Sequence, residues 1–126
     1  MAWKVSIRGS FDKTFKKYKK PLRDEILEIA DKIELGEDGD FLHFNWADFY
    51  SWHFGDKPQY RLVYTRYQCS IKSAKSPLCK FDDIYHTDKE LSTCDGLIEY
   101  VLVDTRENFN RIYKMRKKDV DKYRRS

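Results

Sequence analysis

Apolar and polar positions along the chain change period several times, and each change marks an element. Trp3, Val5 and Ile7 alternate with Lys4, Ser6 and Arg8, which predicts a half-buried strand. Ser10 then stands as an N-cap, Phe11, Phe15 and Tyr18 follow at helical spacing, and Pro21 interrupts, so a first helix is expected over Phe11 to Lys20. From Leu22 to Leu35 one stripe of Leu22, Ile26, Ile29, Ala30 and Ile33 predicts a second helix, closed by Gly36. Glu37 to Asp40 reads as a loop. The aromatic stretch from Phe41 has no single period until Phe49 to Phe54, which reads as a strand; Gly55-Asp56-Lys57-Pro58 turns it, and Tyr60 to Tyr67 returns antiparallel.

Residues 68–96 lack periodicity and hold Pro77 and much of the acidic charge, so they read as an insertion. Leu97 to Val103 is apolar on both faces apart from Glu99, as a central strand covered on both sides would be. Arg106 to Lys118 reads as a terminal helix. The expected fold class is α+β: a small, mostly antiparallel sheet of an N-terminal strand and a three-stranded meander, packed on an N-terminal helical hairpin, with a C-terminal helix. With 126 residues the chain is sized for one domain, 1–126.

Composition narrows the function classes. Charged residues make up 37% and mean hydropathy is -0.81, and no apolar run reaches the roughly 18 residues that span a bilayer, so a cytoplasmic protein without membrane association is expected. Cys69, Cys79 and Cys94 are an odd set, which argues for reduced thiols. With His86 they lack the close pairing of structural zinc sites, and an acidic surrounding disfavours a thiolate nucleophile. The glycines are too scattered for a phosphate loop. No metal and no cofactor is expected. The net charge of +4 is segregated: Lys13, Lys16, Lys17, Lys19, Lys20 and Arg23 cluster early, and Arg111, Lys114, Arg116, Lys117, Lys118, Lys122, Arg124 and Arg125 late. On charge alone, a face for a polyanion and a pair of solvated helices account for this equally well.

The element order resembles that of the RelE/ParE superfamily of bacterial toxins. Tyr60-Arg61-Leu62-Val63-Tyr64 looks like the family's arginine-bearing strand, and Val103-Asp104-Thr105-Arg106-Glu107, running on to Ile112-Tyr113, looks like its last strand leading to a second arginine and a tyrosine. The likeness covers Trp3 to about Tyr67 and Leu97 to about Lys118. It implies a ribosome-dependent mRNA endonuclease that activates an RNA 2′-hydroxyl against its own phosphate without metal, and partners in mRNA, the ribosome and a cognate antitoxin. Arg61 and Arg106 would stabilise the transition state, Tyr113 would assist, and Lys16, Lys17, Lys20, Lys57, Lys114, Arg116 and Lys117 would bind RNA.

The family's strand lysines are missing, since the corresponding stretch reads Phe49-Tyr50-Ser51-Trp52-His53-Phe54. His53, with an ordinary pKa near ~6.5, is the candidate acid–base group in their place. Each assignment has a structural competitor: a surface pairing for His53, a salt bridge to Asp56 or Glu99 for Arg61, one to Asp104 or Glu107 for Arg106, and packing on Phe109 for Tyr113. Trp46, Tyr50 and Trp52 could stack bases, with core packing the stronger expectation for at least two. The absent lysines also leave open a non-enzymatic binder on the same fold, such as a topoisomerase inhibitor or a degenerate toxin-like protein that binds a partner without cleaving anything.

Overall fold

A computed structural model describes residues 2–68 and 94–124. Its elements are β1 (Ala2–Ile7), α1 (Gly9–Phe15), α2 (Lys20–Glu34), β2 (Asp40–Phe41), a 3-10 turn (Phe44–Trp46), β3 (Phe49–Phe54), β4 (Tyr60–Gln68), β5 (Cys94–Thr105), α3 (Arg106–Tyr113), α4 (Lys117–Val120) and a final 3-10 turn (Asp121–Tyr123). The fold is α+β, and its five strands form one mixed sheet in the order β1-β5-β4-β3-β2. β1 runs parallel to β5, and the other neighbours are antiparallel. Most of the stretch read as an insertion, 69–93, lies outside the described residues, as do Cys69, Cys79 and His86.

β5 sits between β1 and β4 and is buried on both faces, as its apolar run requires. One face carries Ile98, Tyr100 and Val103, which pack with Leu62 and Tyr64 of β4 under Phe11, Ile26, Ile29 and Ile33 of the helical hairpin. The opposite face carries Val63, Val101 and Leu102, closed by Trp46, Phe49, Phe109 of α3 and Val120 of α4. Val101 is the extra residue of a bulge: Val63 pairs with Leu102 and Tyr64 with Tyr100, so β5 places both Val101 and Leu102 on the second face. Glu99, the lone charge of that run, is 1% exposed and accepts a hydrogen bond from Arg8 Nε at 2.9 Å. A carboxylate so buried is tolerable only with such partners.

Several boundaries differ from the expected ones. α1 begins at Gly9 with Arg8 at its N-cap, because the Ser10 hydroxyl donates instead to the Val101 carbonyl at 2.6 Å and ties the helix to the sheet. Pro21 lies in the first turn of α2 rather than after α1, where its missing N–H costs no helical bond. The loop expected at Asp40 is the start of a short edge strand, so the meander gains a fourth member. The helix expected over Arg106 to Lys118 breaks after Tyr113, and the break returns Val120 and Tyr123 to the ring of Trp46.

Trp46 is fully buried, with its indole Nε1 donating to the Tyr113 carbonyl at 3.2 Å, and Tyr50 and Trp52 are half-buried against the first core. Packing therefore accounts for all three.

Candidate functional site

The strand pair β3–β4 has an unbroken antiparallel register in which Phe49 opposes Thr65, Ser51 opposes Val63 and His53 opposes Arg61. Side chains alternate across a strand, so Phe49, Ser51 and His53 share the face that bears α3, while Tyr50, Trp52 and Phe54 share the helical-hairpin face. His53 and Arg61 thus stand side by side at the end of the sheet beyond its second core. Directly opposed side chains have Cβ atoms about 5 Å apart, within reach of each other and of a common ligand.

Arg106 is brought to the same place by backbone pairing. It is the first residue of α3, and its N–H donates to the Gln59 carbonyl at 2.7 Å, which pins the helix start to the end of the hairpin. The Gln59 side chain in turn accepts from Arg61 Nη1 at 2.8 Å. Asp104, which opposes Arg61 in the β4–β5 ladder, is engaged elsewhere: its Oδ1 accepts from the Thr105 N–H at 2.7 Å and from Asn108 Nδ2 at 3.0 Å, while the Thr105 hydroxyl accepts from the Asn108 N–H. Glu107 lies 3.9 Å from Arg111. Among the described residues no carboxylate comes within salt-bridge distance of Arg61 or Arg106. Neither guanidinium takes the pairing that a purely structural role would give it.

The fourth member is Asp40 of β2, whose Oδ2 lies 3.3 Å from His53 Nε2. His53 is therefore flanked by the Asp40 carboxylate on one side and the Arg61 guanidinium on the other, with Arg106 beyond Arg61. Partial burial, then the charge of Arg61, and then that of Arg106 lower its pKa from the usual imidazole value, against an opposing pull from Asp40. Burial and Arg106 likewise lower the Arg61 pKa, which leaves a guanidinium cationic at any physiological pH. Two open hollows adjoin the cluster. One of about 430 Å³ is lined by Asp56, Pro58, Gln59, Thr105, Arg106, Glu107 and Asn110, and one of about 170 Å³ by Asp38, Gly39, Asp40, Ser51, Trp52 and His53.

No family model, curated protein or solved structure matches this chain. What can be said of its function rests on the site itself.

Of the residues singled out in the sequence, the fold gathers His53, Arg61 and Arg106, and exposed Lys57 lies on the turn that joins β3 to β4. Tyr113 shares their face of the sheet but lies at the far end of α3, about 10 Å along the helix axis from Arg106. Its ring stacks on Trp46 and meets Phe109, and its hydroxyl donates to the His43 carbonyl at 3.3 Å. Lys16, Lys17 and Lys20 belong to the helical hairpin on the opposite face, and Lys16 is paired with Asp12 at 2.8 Å. Lys114, Arg116 and Lys117 follow α3 beyond Tyr113, and the last two are paired with Asp119 and Asp121.

Sequence reading missed Asp40 and Gln59. Gln59 is marked only by its place at the end of the turn, and Asp40 only as one acid in an acidic loop. Their roles come from pairings between strands that no local pattern encodes.

Proposed function

We propose that this chain is a small endoribonuclease of the RelE type, a toxin acting on mRNA at the ribosome. The observation that carries the reading is the side-by-side placement of His53 and Arg61, with Arg106 next beyond Arg61 on the β5 side; among the described residues neither guanidinium has a carboxylate within salt-bridge distance. The strand order, with an N-terminal strand and helical hairpin followed by an antiparallel β3–β4–β5 meander and a helix, is in keeping with it.

The chemistry follows from the three side chains. A neutral imidazole accepts the proton of an RNA 2′-hydroxyl as that oxygen attacks the adjacent phosphorus. The bond from phosphorus to the 5′-oxygen breaks, leaving a 2′,3′-cyclic phosphate and a 5′-hydroxyl that takes its proton from water. Arg61 and Arg106 neutralise the extra charge on the equatorial phosphoryl oxygens in between, where a planar fork of N–H donors is most effective. The lowered His53 pKa suits the base role, since it keeps the imidazole neutral near pH 7. Substrate RNA, the ribosome and a protein antitoxin are the partners of this reading, with Lys57 the best-placed lysine for the RNA backbone.

A second reading, a non-enzymatic binder on the same fold, is favoured by the lack of any lysine on β3 and by Asp56 and Glu107 on the rim of the larger hollow. Inducible expression of the wild-type chain and of a His53→Ala/Arg61→Ala double variant, with mRNA ends mapped by primer extension in translating extracts, separates the two. New ends in translated messages that vanish in the double variant support the nuclease. Growth arrest without new ends, or no arrest, sinks it.

A further inference from the structure

We propose that Asp40 is a positioning residue for His53: its carboxylate holds the imidazole through Nε2–H and leaves Nδ1 as the nitrogen that takes the substrate proton. The catalytic half of this inference rests on the role given to His53 above. The contact itself does not.

The geometry is built from the edge of the sheet inward. β2 pairs Asp40 with Ser51 and Phe41 with Tyr50, so Asp40 shares a face with Ser51 and hence with His53, its diagonal neighbour. Diagonal neighbours lie within reach of a long or aromatic side chain, and the imidazole closes the gap to 3.3 Å. The segment that carries Asp40 is locked in place by three contacts. A Cβ on Gly39 would lie 2.8 Å from the Ser51 carbonyl carbon and 3.0 Å from Trp52 Cα, so only glycine lets this backbone press on β3 so closely. The buried Tyr64 hydroxyl accepts from the Gly39 N–H at 2.9 Å and donates to Asp38 Oδ1 at 2.8 Å. Arg66 grips the same Asp38 oxygen at 2.7 Å while also donating to the Ile33 carbonyl. Asp38, Gly39 and Asp40 are therefore referenced to the core through β4, and the Asp40 carboxylate inherits that placement although it is itself exposed.

The charged groups facing His53 are Asp40 from β2, Arg61 from β4 and Arg106 from α3, with Asp104 of β5 opposite Arg61 but engaged by the Thr105 N–H and the Asn108 side chain. A neutral imidazole donates through one nitrogen and accepts through the other, and the carboxylate decides which. With Nε2–H held by Asp40, the Nδ1 lone pair is the free base. Asp40 is also the counter-charge that keeps the imidazolium accessible next to Arg61 and, beyond it, Arg106, so that the base can be loaded with the proton it removes.

The test is ¹⁵N NMR of the imidazoles in the full chain, with the His53 signals assigned by loss in His53→Gln and folding of every variant checked by amide dispersion. In the wild type, neutral His53 is expected as the Nε2–H tautomer. Asp40→Asn, which can still accept through its amide oxygen, should retain that tautomer but titrate at lower pH than wild type; Asp40→Ala should relax from a single tautomer to the mixed ratio of a free neutral imidazole, in which Nε2–H is already the major form, and also titrate lower. Gly39→Ala, which displaces Asp40 without removing it, should relax toward the same mixed ratio. Cleavage by Asp40→Ala should fall about 10- to 100-fold, the usual effect of losing a group that orients a functional histidine, with its pH profile displaced in the same direction as the titration. An unchanged tautomer and titration in Asp40→Ala would falsify the proposal. Absence of cleavage by the wild type overturns the nuclease reading instead, and the spectra still decide whether Asp40 holds His53.

Discussion

His53 and Arg61 oppose each other across β3 and β4, so one strand register sets both the distance between imidazole and guanidinium and the electrostatic cost of protonating the imidazole. A slip of one residue in that register would send His53 to the helical-hairpin face and dissolve the site.

Arg61 should therefore matter to chemistry far more than to stability. Arg61→Ala is expected to lower cleavage about 10²- to 10³-fold, the usual loss for one preorganised oxyanion donor. Arg61→Lys should recover only part of it, because a point charge does not reproduce the fork. The hydrogen bond to Gln59 is worth about 1 kcal/mol, so the unfolding midpoint should move little. Single-turnover cleavage beside urea melts checks both, and full cleavage by Arg61→Ala would contradict the site.

The lowered pKa of His53 makes a signed prediction about stability. The folded state binds fewer protons than the unfolded chain between the folded pKa and the ordinary imidazole value near ~6.5. Stability should thus be fully present above about pH 6.5 and decline as pH falls from there through the folded pKa. Glu34, whose pKa is raised mainly by burial, acts in the opposite sense, but it does so in wild type and variant alike. Urea midpoints near neutrality and near pH 5.5 should therefore fall further for the wild type than for His53→Gln; equal declines would rule out the depressed imidazole.

Charge reversals should sort by face. Lys57→Glu is expected to weaken RNA binding and flatten its salt dependence, because Lys57 is exposed on the turn between the strands that carry His53 and Arg61. The triple change of Lys16, Lys17 and Lys20 to Glu, on the helical hairpin that covers the opposite face of the sheet, should leave single-turnover cleavage nearly unchanged. The reverse ranking in salt titrations would place the RNA on the helical hairpin.

Tyr113 offers a clean separation of ring from hydroxyl. Tyr113→Phe removes one hydrogen bond to the His43 carbonyl, worth about 1 kcal/mol or less, and with the hydroxyl at the far end of α3 from Arg106, cleavage should persist. Trp46→Ala, which empties the centre of the second core, should cost about 3–5 kcal/mol. Strong loss of cleavage in a stable Tyr113→Phe would bring the hydroxyl to the scissile phosphate after all.

Much of the fold was legible because its signals are local. The stripe of Ile26, Ile29 and Ile33 marks α2, the turn at Gly55 to Pro58 joins strands whose ends fall at Phe54 and Tyr60, and the doubly apolar run from Leu97 lies in the central strand. Where local signals misled, a tertiary contact had outbid them. Ser10 resembles a cap, yet its hydroxyl finds the Val101 carbonyl; a straight helix through Lys118 would carry Val120 away from Trp46.

The candidate site divides along the same line. Residue type and alternation determined by themselves that His53 lies on the opposite face from Trp52, and that an arginine stands on the returning strand and another at the start of the helix that follows the last strand. Only the tertiary structure decided that Gln59 ties Arg61 and Arg106 to one corner, and that Asp40 reaches His53. Alternation along a strand is a property of the backbone and can be read from sequence, whereas these contacts depend on register between strands and on a glycine at position 39 that admits close approach, which form only when distant segments pack.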